Sequence, residues 1–237
     1  VVLLGDDLTL LVDPPNNIFR SVYLEHGNFT LNGNHLYTGG LFSVFKNQRT
    51  LNIENSKATV RYDFDRAWWI DADNLQFFAD KSTIYNESFM GTIFSEHGSN
   101  LQYYNVELNG PIDSLANQGN ITEYNLISIN MESGLVTGNF IADTVYLRGR
   151  NSGMFNKSTT NVVYVDSIYG SINQKHNINR CFVNKFGFIR GNNNIKYCIF
   201  QDDGVFMGHN IFDTLVLYPG SGNEQGLGNW FYFQADS

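Results

Sequence analysis

The 237-residue chain is short of cysteine (two), proline (four), methionine (four) and basic residues (15 lysines and arginines), and each scarcity removes a class of protein. Two cysteines, Cys181 and Cys198, cannot make a disulfide-rich scaffold, and without a CxxC pair they supply no metal or redox site. Fifteen basic residues against 23 acidic ones leave a net charge of -8, which argues against nonspecific binding to nucleic acid or to an anionic membrane, since both need basic patches. No apolar run approaches the roughly 20 residues of a membrane span, and no h-region with a cleavage site opens the chain. Helical periodicity is missing too. The nearest candidate, Asp113 to Gln118, is one capped turn at most.

Catalytic signatures are equally scarce. The five histidines, His26, His35, His97, His176 and His209, show no HxH or HExxH spacing and read as turn residues, so no metal is expected. There is no GxSxG elbow, no P-loop and no GxGxxG after a strand. No cofactor is expected.

What the chain does have is a spacing. An apolar residue at i is followed by others at i+3 and i+5 in Phe19/Val22/Leu24, Ala72/Leu75/Phe77, Tyr103/Val106/Leu108, Tyr124/Ile127/Ile129, Ala142/Val145/Leu147, Thr160/Val163/Val165, Ile178/Cys181/Val183, Ile195/Cys198/Phe200 and Phe212/Leu215/Leu217. From Tyr124 the copies step by 18, 18, 18, 17 and 17 residues. A second series, Gly134, Ser152, Gly170, Gly187 and Gly204, keeps the same step, with Val136, Met154, Ile172, Ile189 and Phe206 two residues on. Two further on stand Gly138, Asn156, Gln174, Gly191 and Gly208, which read as turns. Periods near 20 with strand-like alternation mark stacked β-coils, each burying its apolar face only against its neighbours.

The expectation is an all-β chain, a right-handed parallel β-helix forming one unit over residues 1–237. Residues 1–110 read as larger or irregular coils, 111–218 as regular coils of 17 to 18 residues, and 219–237 as a loop with a terminal strand, Trp230 to Phe233. Between Ala72 and Tyr103 the interval stretches to 31 residues, leaving room for extra strands at Ser82–Tyr85 and Thr92–Phe94 and for lateral loops. Cys181 and Cys198 fall at one position of adjacent coils, about 4.8 Å apart in register. That admits either a disulfide or two stacked buried thiols. The chain begins Val1-Val2-Leu3-Leu4 without Met and reads as a piece of something longer.

Asn17 to Leu24, Gly27 to Gly33, Arg49 to Ile53, Trp69 with Asn74 to Phe77, Ser82 to Ile84, Tyr103 to Leu108 and Asn210 to Leu215 follow one another in an order that resembles the β-helix repeat region of very large cell-surface adhesins of Bacteroidota. The resemblance implies a right-handed parallel β-helix, export by the type 9 secretion route and a cell-surface location. It further implies attachment to surfaces or glycans, in some members coupled to gliding. The Ser221 to Gly228 loop departs from the family's usual continuation.

The function expected is therefore a non-catalytic structural and adhesive segment, a stalk or contact surface. Its partners would be glycans, neighbouring β-helix segments or other surface proteins. The alternative is a polysaccharide-degrading β-helix enzyme, a lyase, glycosidase or tailspike. That needs two carboxyl groups flanking a sugar cleft. Asp63/Asp65, Asp71/Asp73 and Asp202/Asp203 are the pairs, and Asp71/Asp73 beside Trp68 and Trp69 is the best placed, because an aromatic face can stack on a sugar ring. Against it, Trp69 fits a core position of the stack. Asn28, Asn86, Asn120 and Asn156 head N-x-S/T sequons, and Asp113, Asp143, Asp166 and Asp213 head the Asp-Ser/Thr-aliphatic triplets that Bacteroidota O-glycosylate.

Overall fold

The computed structural model describes residues 2–4, 7–9, 20–61, 66–96, 101–111, 113–118, 121–130, 132–218 and 231–234. These residues form 25 strands and no helix, and the strands pair in parallel from coil to coil. The chain is a β-solenoid of about ten coils with up to three walls. One early coil runs from Val22–Leu24 in the first wall through Gly27–Thr30 in the second to His35–Thr38 in the third. The next repeats it at Leu41–Ser43, Arg49–Asn52 and Lys57–Val60.

The inward column of the first wall is Val22, Leu41, Trp68, Ile93, Leu115, Val136, Met154, Ile172, Ile189 and Phe206, each in register with the next. The third wall stacks Leu36, Ala58, Ile84, Val106, Ile127, Val145, Val163, Cys181, Cys198 and Leu215. All of these except Leu215 are buried. Each larger aliphatic removed from water contributes about 1.5–3 kcal/mol before entropy is counted. Stacking like on like supplies that burial with one short motif.

The turn positions behave as the sequence implies. Gly138, Asn156, Gln174, Gly191 and Gly208 all have positive φ, between 74° and 95°. The corner from first to third wall requires it. A Cβ on Gly191 would sit 2.7 Å from the backbone of Gln174.

Three expectations need correction. Val22/Leu24 pair with the first wall and Leu75/Phe77 with the second, whereas Val106/Leu108 belong to the third, where their partners one coil back are Ile84 and Asn86. The apparent 31-residue gap therefore arises from counting different walls as one series. Thr83–Asn86 and Thr92–Glu96 are ordinary wall strands. Second, Ser114–Gln118 is a first-wall strand, not a helical turn, because Leu115 fills the core column between Ile93 and Val136. Third, His35 and His176 lie within strands. Phe231–Gln234 continues the first wall, while Phe19 and the loop 219–228 lie outside the described residues.

Among the described residues the second wall has four strands, Leu8–Thr9, Gly27–Thr30, Arg49–Asn52 and Leu75–Phe78, and no later one. Beyond it the third-wall strands lengthen, as in Gln102–Leu108 and Thr122–Ile129, and carry an extra inward column that starts at Tyr103 and Tyr124. The Tyr103 ring lies 4.9 Å from that of Phe77, so this column takes over the core space of the missing wall.

Gln174 is a non-glycine residue at φ 83° in a column otherwise held by glycine and asparagine. Gln174→Gly is expected to stabilise the chain by about 0.5–1 kcal/mol, relief of left-handed strain outweighing the added unfolded-state entropy, as read by urea unfolding.

Candidate functional site

Of the four residues singled out in the sequence, Trp68 is the core residue, not Trp69. Ala67 is an extra residue where Arg66 pairs with Thr92 and Trp68 with Ile93, and this bulge reverses the alternation. Trp68 is fully buried and donates its indole N–H to Tyr103 Oη at 3.3 Å. Tyr103 also meets Ser95 Oγ at 3.1 Å, and burial pushes its phenol up to about 12. Trp69 faces outward, but its ring is covered: the Arg66 guanidinium lies 3.8 Å from it and 4.0 Å from the Phe94 ring, and pairs with Glu96 at 3.2 Å. That face is closed to a sugar.

Asp71 is buried and accepts the backbone N–H of Asp73 at 3.0 Å. Beneath the same turn lies a residue the sequence reading missed. Arg49 is 2% exposed and donates from Nη2 to the carbonyls of Asp71 (2.7 Å) and Asp73 (3.0 Å), from Nη1 to Asn47 O and from Nε to Ser43 Oγ. Desolvation lowers its pKa, against the attraction of Asp71 and Asp73. The Asp71/Asp73 turn is thus part of a buried corner clamp joining first and second walls. Asp63 and Asp65 lie outside the described residues. At Asp202/Asp203 the first carboxylate accepts the backbone N–H of the second.

A second feature missed was a polar inward column, Ser158, His176, Asn193 and Asn210, although its 18, 17 and 17-residue steps are those of the apolar columns. His176 Nε2 donates to Asn173 O at 2.6 Å, which fixes the tautomer, so Nδ1 accepts from Ser158 Oγ at 2.7 Å. Asn193 donates to Arg190 O and to Asn210 Oδ1, and Asn210 to Met207 O. His176, Asn193 and Asn210 each bond the carbonyl three residues back. Burial pushes the His176 imidazole down to about 4.

Outward residues also stack. Tyr146 and Tyr164 are parallel at 4.7 Å and Tyr164 and Phe182 at 5.1 Å, while the Arg148 guanidinium lies 4.2 Å from the Tyr146 ring. Asn161 donates to Asp143 and Asn179 to Asn161. Asp166 belongs to another column, bonded by Asn184, so it is not equivalent to Asp143. Among the described residues no group of three or more His, Cys, Asp or Glu is placed to hold a metal. Cys181 and Cys198 are free, buried and in register, and hydrogen bonding to Cys181 together with burial pushes the Cys198 thiol up. Of the glycosylation candidates, Asn86 and Ser167 are buried and hydrogen-bonded, whereas Asn28 and Thr214 are exposed. Asn120 lies outside the described residues.

Where the second wall stops, a groove of about 660 Å³ opens between Phe77–Asp80 and the outer face of the third wall. No protein-family model, no curated protein and no solved structure matches this chain.

Arg49→Met is expected to destabilise by about 3 kcal/mol in urea unfolding, because it strands the carbonyls of Asp71 and Asp73 in a buried corner. For His176, the unfolded chain takes up a proton below the ordinary pKa of 6.5, which the folded site refuses until about 4. Its contribution to stability is therefore full above pH 6.5 and is lost as pH falls through this window. Relative to His176→Asn, which keeps the bonding of its column without titrating, the natural protein should lose up to about 3 kcal/mol between pH 7 and 4.

Proposed function

We propose that the chain is a non-catalytic, rod-like segment of a larger exported bacterial surface protein, serving as a stalk and contact surface. The observation that carries this reading is the continuity of the outward columns. Tyr146–Tyr164–Phe182 and Asp143–Asn161–Asn179 repeat one small chemistry from coil to coil. A rod with such columns binds through many weak, regularly spaced contacts, and linked weak contacts add up to useful avidity. Stacking takes up most of the ring faces, so the contacts are made by ring edges, hydroxyls and amides, groups suited to glycan hydroxyls or to another protein surface. Asp71 and Asp73 serve the Arg49 clamp in this reading. Neighbouring β-helix segments are the natural partners for the two ends, where strand edges need cover.

A glycan array run beside turnover assays on the same polysaccharides tests it. Binding without cleavage is expected, with Asp71→Asn/Asp73→Asn unchanged in what it binds. Cleavage of any polysaccharide that the double variant loses would overturn the stalk reading in favour of a polysaccharide-degrading enzyme.

A further inference from the structure

The groove beside the end of the second wall adds apolar and acidic side chains of other strands to one side of the Asp143–Asn161–Asn179 column. Its apolar surface includes Phe77, Phe78, Tyr104 and Ile141, and Phe78 and Ile141 are 43% and 40% exposed. Four carboxylates, Glu54, Asp80, Glu123 and Asp143, also line it, and its described lining contains no lysine, arginine or histidine. The ion pairs among the described residues are Arg61–Glu87 and Arg66–Glu96, so none of the four meets a cation. Glu123 and Asp143 accept only neutral partners, the amides of Gln102 and Asn161 and the hydroxyl of Thr144.

The acids are spread along the rod. Glu54 and Asp80 follow the second-wall strands of successive coils, and Glu123 and Asp143 lie two and three coils beyond Asp80. Four coil rises span about 19 Å, the reach of an extended peptide of about six residues. Alternate side chains of such a peptide point to opposite sides, so one set can lie on Phe78 and Ile141 while the other reaches the carboxylates.

We infer that this groove is a docking site for an extended cationic peptide segment of a partner protein, with apolar and lysine or arginine residues in alternation. Complementary charge draws the segment in and sets its register, and the exposed rings and Ile141 supply apolar burial. A second copy of this chain, at net charge -8, does not supply that complement. The inference goes beyond the stalk reading: it assigns a protein partner to one groove, of which Asp143, Asn161 and Asn179 of the polar column form one side.

The test uses an eight-residue fluorescein-labelled peptide of alternating lysine and valine, titrated with the full chain and followed by anisotropy. Saturable binding is expected, weakened at least about tenfold by Asp80→Asn/Glu123→Gln/Asp143→Asn and by a rise from 50 to 300 mM salt, and unaffected by Glu107→Gln/Asp202→Asn/Asp213→Asn, which removes equal charge outside the groove. Phe78→Ser should also weaken it with the carboxylates intact. Equal loss in the two triple variants would overturn the inference, leaving only net charge at work. Equal binding of an alternating glutamate and valine peptide would overturn it, as would a glucosamine oligomer of the same length that binds more tightly with the same carboxylate dependence and so makes the groove a glycan site.

Discussion

Register is the constraint on which everything else in this molecule depends. In a parallel stack each residue sits about 4.8 Å from its counterpart in the next coil, too close for a column to mix sizes or charges freely. Apolar columns meet that constraint by burial, as from Val136 to Phe206. Polar columns meet it by mutual hydrogen bonding, as at Ser158, His176, Asn193 and Asn210. Charged residues enter the interior where backbone groups meet them, carbonyls for Arg49 at the corner of Asp71 and Asp73, and the N–H groups of Gly91 and Gly110 for Asp113.

The same constraint governs what the surface can do. Rings 4.7 to 5.1 Å apart and nearly parallel cover one another's faces, and arginines cover Trp69 and Tyr146. The regular columns are therefore surfaces of edges and polar tips. Open apolar surface with uncompensated charge arises where the regularity fails, where the second wall ends and the cross-section of the rod steps down beside Phe78.

The solenoid was legible in the sequence because inward positions are chemically uniform in the regular coils. Val136, Met154, Ile172, Ile189 and Phe206, with positive-φ residues two positions on, need no other information. The early walls were not legible by the same rule. Simple alternation places Val22 and Leu24, or Leu75 and Phe77, two apart in any strand, so the i+3, i+5 spacing cannot say which wall they belong to. Trp68 and Trp69 were exchanged because the bulge at Ala67 reverses parity, and a bulge has no signature in one sequence. The polar column keeps the period of the apolar ones, but its four members, Ser158, His176, Asn193 and Asn210, share no side-chain class that marks them as inward. The Arg49 clamp depends on carbonyls 22 and 24 residues away, which no local pattern announces.

An in-register stack of constant rise fixes the electron spin resonance distances between label pairs in one outward column. With labels on cysteines placed at Glu107 and, in turn, at Tyr164, Ile199 and Val216, three, five and six coils away, the distances should rise with coil number to about 14, 24 and 29 Å. Distances that do not increase with coil number in near-equal steps would contradict the account.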